Sequence, residues 1–433
     1  MRFHFPAAAL AASALLSASA LLSACATTPT EPVPTTAASA DPEARLERVV
    51  MLMRHGVRPP TKAMVTPPGV AAQDWPGWPV DWGELTPHGY DAVRLLGQWD
   101  RRHWADQGLL SAEGCPADGQ VHLAASSKSR TQATARALAE GLAPGCPLEV
   151  EFPATPADDA EFHPLDAGAV PIDPDQALEA QAALAPVGGL SAEMARQAPL
   201  LKRLSEVLGC CTVAACAEQA LPAGCDLSQW PQALTRNDAD RADLGPPLGL
   251  ASTVAQTFLL EYLEGKPMDQ VGWGRVSRDD IEAFLTFHTL KFYYEGRAPY
   301  VAARAASPLA RRMLTALESG PALTVLAGHD TNIADLGGML DLHWRVPGYP
   351  ADNPPPGGAV GFELWRDASG QGTVRAFYRA QTMDQVRDLR PLTGAEQAAF
   401  QYIAIPGCPA PCRIEAFDRL VTSRLVASRP TGD

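Results

Sequence analysis

Charged side chains make up only 19% of this 433-residue chain, and positive ones are the scarcer: 35 Lys and Arg stand against 49 Asp and Glu, a formal net charge of −14. That shortage argues against nucleic acid as a partner, because affinity for a phosphate backbone comes from basic side chains. If an anion binds, a local cluster of cations must hold it. Also missing are an internal repeat, a repeated C-x-x-C unit, and any apolar stretch with the length and composition of a membrane span. Outside one group of four cysteines, no His, Cys, Asp or Glu set has ligand spacing, so no metal or other cofactor is implied.

What is present is a 46% hydrophobic chain, enough for a large core in one domain or two interleaved ones. Residues 1–26 start with Arg2, continue through an Ala/Leu/Ser stretch and end in small residues, which is the layout of a secretory signal. Leu22-Ser23-Ala24-Cys25 resembles the lipobox of bacterial lipoproteins, in which Cys25 would be lipidated and anchor the chain to a membrane. Cleavage around Ala24-Cys25-Ala26 would instead release a soluble protein. Either route exports the chain, and a periplasmic location is expected. Residues 27–45, rich in Thr, Pro and Ala, read as a disordered tether.

Of nine cysteines, removing Cys25 leaves eight, an even number that suits disulfides in an oxidising compartment. Spacing pairs Cys115 with Cys146 and Cys408 with Cys412. Two further pairs are expected among Cys210, Cys211, Cys216 and Cys225, in an arrangement the spacing leaves open and with a zinc site as the rival reading.

Val49 to Met53 and Leu323 to Ala327 are unbroken apolar runs of the kind found in fully buried strands. After the first, residues 66–83 are rich in Pro, Gly and Trp and read as a rim loop. Thr86-Pro87 then opens an amphipathic helix. A short strand over 121–125 and a helix starting near Arg130 follow. Residues 172–296 carry helical periods and no good strand, which predicts an inserted helical domain between an α/β first part (46–171) and second part (297–425). Strands at 361–365 and 373–378 flank a polar turn. The expected fold is an α/β sandwich with a largely parallel, helix-covered sheet.

Both buried runs end in polar triplets, Arg54-His55-Gly56 and Gly328-His329-Asp330. Ligands of open α/β sheets bind at such carboxyl ends of strands, so the triplets could face each other. Arg54 and Arg58 bracket His55 in the run R-H-G-V-R-P-P. Their charge favours a neutral imidazole, which a nucleophile needs, and guanidinium forks match the oxygens of a phosphoryl group. Gly56 would let the backbone approach closely and adopt unusual dihedrals, with Pro59 and Pro60 stiffening the loop. His329 offers a further donor, and Asp330 a carboxyl that could protonate a leaving alkoxide. Phosphoryl transfer to nitrogen is the inference. His288, on an apolar helical face with Leu285 and Phe292, reads as a core histidine. His4, His88, His103, His122, His163 and His343 have no supporting constellation.

R-H-G-V-R-P at 54–59 and G-H-D-T-N at 328–332 resemble the two signatures of the histidine acid phosphatases. The resemblance extends to the bacterial periplasmic phytase and acid phosphatase branch of that family. It is carried further by T-K-A at 61–63, G-L-A-P at 141–144, G-W-G-R at 272–275 and P-P-G-G at 355–358, over roughly residues 46–420. It implies a phosphoglycerate-mutase-like fold with His55 as nucleophile and Asp330 as proton donor. Arg54, Arg58, Arg130 and His329 would hold the phosphate, and Thr61, Lys62 and Thr331 would contact the rest of the substrate. Thr253 and Gln256 stand where the branch's phytases carry Met and Glu, Arg304 is displaced by one residue, and Val170 replaces a disulfide cysteine.

The activity implied is hydrolysis of a phosphorylated small molecule through a phosphohistidine, with phytate as the first candidate. A glucose-1-phosphatase or broad acid phosphatase is the alternative. A surface lipoprotein that captures phosphate esters without cleaving them is the non-enzymatic one, although binding alone needs neither His55 nor Asp330.

Overall fold

The computed structural model describes residues 44–236 and 242–428. The signal-like segment, Cys25 and nearly all of the 27–45 tether therefore lie outside the described residues. No helix among the described residues is long and apolar enough to cross a membrane.

The described strands are β1 (Arg45–Arg54), β2 (Val121–Ala125), β3 (Val150–Glu151), β4 (Leu234–Arg236), β5 (Ala242–Leu244), β6 (Leu323–Gly328), β7 (Ala359–Arg366), β8 (Gly372–Ala380) and β9 (Ala399–Ile403). Seven of them form one sheet in the order β3-β2-β6-β1-β7-β8-β9. The half from β3 to β1 is parallel and the half from β7 to β9 antiparallel. For β7 and β8 the antiparallel pairing follows from connection length. β7 and β8 are joined by a tight turn in which Asp367 accepts from the Ser369 and Gln371 amides, and a turn that short can link only antiparallel strands. The sheet is thus mixed, with three parallel pairings and three antiparallel.

β1 is the central strand, and Val49 to Met53 are at most 1% exposed, as their unbroken apolar run predicts. Helix Pro87–Asp106 starts at Thr86, whose side chain accepts from the Gly89 amide. It crosses helix Ser129–Leu142 at Gly97 and Gly141, where an added Cβ would collide with backbone of the opposite helix. The G-L-A-P run is thus a helix-crossing device.

Between β3 and β6 the chain is mainly helical, with helices Pro174–Ala182, Gly189–Leu208, Val213–Glu218, Leu248–Leu263 and Arg278–Glu295. One expectation fails here: β4 and β5 pair antiparallel within the stretch predicted to lack strands. Three-residue strands are too short to display a period of two, so the pattern carried no trace of them. In the rim loop, Trp75 packs on Trp273 and Phe258 at 4.8 and 5.7 Å, and Lys266 lies 4.0 Å over the Trp78 ring. The G-W-G-R motif supplies Trp273 to that contact.

Cys115–Cys146 and Cys408–Cys412 are disulfides, as spacing indicated. The central four resolve as Cys210–Cys211 and Cys216–Cys225, which commits all four sulfurs to disulfides and replaces the zinc reading. Val170 is buried at 2% exposure and packs in place of the absent cysteine.

A fully buried ion pair ties helix Pro87–Asp106 to β8: Arg379 Nη2 lies 2.8 Å from Asp100 Oδ2, and both side chains are 0% exposed. Guanidinium cannot shed its proton, so D100A would strand a buried cation. The expected cost is roughly 3–5 kcal/mol, read as a lower urea midpoint with an unchanged slope.

Candidate active site

β1 and β6 run parallel with Arg54 opposite Gly328, so the residue after each strand end leaves the sheet beside the other. His55 donates its backbone N–H to the Gly328 carbonyl at 3.0 Å. The His55 and His329 rings stand 5.6 Å apart in an edge-to-face arrangement. The two triplets, 274 residues apart in the chain, thus form one site.

Gly56 is needed here for a different reason from the one expected. Its backbone does not take the left-handed conformation, but a Cβ would lie 2.9 Å from Val93 Cγ2 and 3.0 Å from the Gly89 carbonyl. Bare backbone lets the His55 turn sit on the start of helix Pro87–Asp106. Its amide donates to Thr134 Oγ1 at 3.0 Å, which pins the turn to helix Ser129–Leu142 as well.

His55 Nδ1 lies 2.9 Å from the Gly56 carbonyl. A carbonyl only accepts, so Nδ1 carries the proton and Nε2 keeps its lone pair. The same Nε2 receives Arg58 Nε at 3.3 Å. Burial foremost, then Arg58, Arg130 and Arg54, holds the His55 pKa well below its ordinary value, so the ring is neutral. Charge repulsion was the expected cause; desolvation is the larger one.

Arg54 is completely buried. Its Nη1 donates to the Pro354 carbonyl at 2.7 Å, and its Nη2 meets Asp330 Oδ2 at 2.7 Å and Gln256 Oε1 at 3.1 Å. The neighbouring P-P-G-G run holds the first turn from behind, with Gly358 accepting from the Arg54 amide and Gly357 donating to the His55 carbonyl. Arg58 is pushed down to about 9 by burial first and by Arg130 next, and remains cationic at neutral pH. Arg130, at the start of helix Ser129–Leu142, brings Nη2 to 3.4 Å from His329 Nδ1, while its Nε is buried without a partner. Arg58 meets the bare nitrogen of His55, and Arg54 and Arg130 are close enough to act on the same ring, an arrangement that calls for an anion with several oxygens.

Asp330 opens helix Asp330–Leu340 and accepts from the Thr331 amide at 3.0 Å. Burial acts to raise its pKa, but Arg54 and His288 outweigh burial and hold the carboxyl well below its ordinary range. Without an anion present, it is a carboxylate paired with Arg54.

The family model for the histidine phosphatase superfamily (branch 2) matches residues 45–379. The chain belongs to that superfamily.

Similarity to individual histidine phosphatases extends over most of both chains. The chain is 35% identical to phytase AppA of Escherichia coli (strain K12) over 406 residues, covering 89% of this chain and 93% of that one. To a glucose-1-phosphatase of Salmonella typhimurium it is 29% identical over 404 residues, 89% of this chain and 94% of the other. The structure of Hafnia alvei phytase in complex with myo-inositol hexakis sulphate superposes with a TM-score of 0.82 at 34% identity. That match covers 90% of this chain and 99% of that one. As a histidine phosphatase the chain is a phosphoric monoester hydrolase.

Thr61 and Lys62 lie exposed on the loop after Pro60, and Thr331 is exposed at the start of its helix. Thr331 borders a cavity of about 330 Å³ that His163, Asn332 and Lys291 also line. Arg304 is drawn off, with its Nε on the Pro171 carbonyl at 3.1 Å and its guanidinium over the Tyr300 ring.

Two histidine readings need correction. His288 is buried, as its apolar face predicts, and its Nδ1 pairs with Ser252 Oγ at 3.1 Å; but its Nε2 faces Asp330 Oδ2 at 3.7 Å. His163, assigned no constellation, brings Nε2 to 3.2 Å from His329 Nε2. Neither carries a local signal of this, because the opposing group comes from a distant segment. His88, His103, His122 and His343 hydrogen-bond or stack elsewhere, and His4 lies outside the described residues.

Proposed function

We propose that this chain is an exported acid phosphatase of the phytase type, removing phosphate from a polyphosphorylated inositol or a similar ester through a phosphohistidine at His55. The observation that carries the mechanism is the unprotonated Nε2 of His55, which receives Arg58 and lies under the charge of Arg130 and Arg54, the latter paired with Asp330.

The Nε2 lone pair attacks phosphorus in line. Arg54, Arg58, Arg130 and His329 hold the equatorial oxygens and offset the charge that develops on them. Asp330 gives its proton to the departing oxygen, and water then hydrolyses the phosphohistidine. The Asp330 proton arrives with the substrate. Phosphate oxygens that claim Arg54 remove the cation stabilising the carboxylate, and their own charge disfavours a second anion beside them.

The inositol-polyphosphate reading is supported by the higher identity to a phytase than to a glucose-1-phosphatase, 35% against 29%, and by Thr61, Lys62 and Thr331 on exposed ground around the clamp. Thr253 and Gln256, where phytases of the branch carry Met and Glu, favour the sugar-phosphate alternative. Initial rates on phytate and glucose-1-phosphate under one set of conditions decide between them. A kcat/KM at least about tenfold higher for phytate is expected, and the reverse order overturns this substrate assignment.

Residues 172–296 act in this reading as the helical insertion that walls the cleft opposite the strand ends. Export is supported by the four disulfides, which persist in oxidising compartments. Lipidation at Cys25 would tether the enzyme to a periplasmic membrane surface.

A further inference from the structure

His329 faces the clamp through Nδ1, 3.4 Å from Arg130 Nη2; a guanidinium only donates, so without an anion this contact favours a bare Nδ1. A phosphoryl oxygen at that position only accepts, so Nδ1 must carry a proton to bind it. A neutral imidazole has one proton, and Nε2 must then act as an acceptor. Once phosphate has drawn Arg130 off Nδ1, which tautomer His329 adopts is decided by what lies behind it.

Two groups touch its Nε2: Ser126 Oγ at 3.0 Å and His163 Nε2 at 3.2 Å. Ser126 does not decide the matter. The Thr131 hydroxyl spends its proton on the Lys128 carbonyl at 2.6 Å, which leaves the Ser126 proton free to go to Thr131 Oγ1 at 2.9 Å or to His329.

His163 has a stronger bias. Asp159 Oδ2 lies 3.8 Å from its Nε2 and Asp166 Oδ2 lies 3.8 Å from its Nδ1, so both ring nitrogens face a carboxylate. Asp159 is fully buried and held in place by the Ser127 amide at 2.8 Å, the Ser127 hydroxyl and the Phe162 amide. Carboxylates favour N–H on the nitrogens they face; Asp166 is 47% exposed and screened by solvent, so the buried Asp159 prevails and draws the proton of the neutral ring to Nε2.

We propose that His163 is a positioning residue: its Nε2–H donates to His329 Nε2 and so fixes His329 in the tautomer that presents Nδ1–H to the phosphoryl group. The inference rests on the phosphate-donor role proposed for His329. Lys128 and Arg130 also act on His163. Burial is the largest influence and, with these two cations, lowers its pKa, while Asp159 and Asp166 raise it. Below that pKa the doubly protonated ring can only donate, so the constraint on His329 tightens as pH falls.

The test is inhibition of the full-length protein by inorganic phosphate, with H163L, H163Q and H329A beside the wild type. H163L is expected to weaken phosphate binding about 10-fold, the loss of one charge-assisted hydrogen bond. H163Q, whose amide nitrogen reaches the place of the imidazole Nε2, should stay within about threefold of wild type, a rescue that a merely space-filling role would not give. Nitrogen-15 spectra of phosphate-bound wild type should show His329 protonated at Nδ1 and bare at Nε2, with mixed tautomers in H163L. Wild-type phosphate affinity in H163L overturns the proposal, as does an Nε2–H tautomer in the bound wild type. H329A separates the two levels: if it leaves phosphate binding intact, the role of His329 fails; if it weakens binding and H163L does not, only the role of His163 fails.

Discussion

H55A is expected to lower kcat on any phosphomonoester by on the order of 10⁶-fold, the scale on which loss of a covalent nucleophile acts. Nothing near it can take over. The guanidinium ions around the vacated position have no lone pair to offer, the Asp330 carboxylate is paired with Arg54, and the His329 nitrogen that faces the clamp is met by Arg130. The cationic clamp survives the substitution, because Arg54, Arg58 and Arg130 are held by other partners or by burial. Phosphate should therefore still bind to H55A, with the folded state intact by circular dichroism. Quenching a turnover mixture in alkali should trap protein-bound phosphate in wild type and none in the variant. Full activity in H55A would dismiss the phosphohistidine route, and loss of phosphate binding together with activity would point to collapse of the clamp rather than of the chemistry.

D330N separates proton donation from binding. Asparagine keeps the shape and can still accept from Arg54, but it has no proton to give. For an ester with an alkoxide leaving group, kcat should fall roughly 10²–10⁴-fold. For p-nitrophenyl phosphate, whose leaving phenolate is stable without a proton, the loss should be far smaller. Equal losses on both substrates would remove Asp330 from the acid role.

The pH dependence follows from the same carboxyl. In the free protein Arg54 and His288 hold it well below its ordinary range against the opposing effect of burial, and bound phosphate reverses the balance at Arg54. kcat/KM reports the free protein and kcat the complex, so the alkaline limb of kcat should lie at higher pH than that of kcat/KM. Both profiles fall as pH rises, giving an acid optimum. Coincident limbs would mean that the proton does not arrive with the substrate.

Much of this site was legible in the sequence because strand ends are local. An unbroken apolar run followed by R-H-G or G-H-D marks a buried strand and the polar residues just past it, and those few residues need no tertiary information to be found. Arg130 could be placed through the helix start and the G-L-A-P run. The hairpin after β7 was readable from its turn, while β4 and β5, at three residues each, were below what a period can show.

The amino-acid sequence by itself determined the strand runs, the polar triplets that end them, two disulfides and the chemistry available to the site, since each depends on neighbours within a few residues or on simple spacing. Only the tertiary structure decided how those parts act together. The parallel register of β1 and β6 brings His55 against His329, the Gly56 carbonyl selects which nitrogen of His55 is bare, and Arg54 reaches across to ionise Asp330. His163 and His288 join the site for the same reason. An ionisation state or a shared contact is set by whichever group packs opposite: the His55 tautomer is fixed by its neighbour Gly56, but Asp330 is ionised by Arg54, and His329 meets His163, across more than a hundred residues of chain.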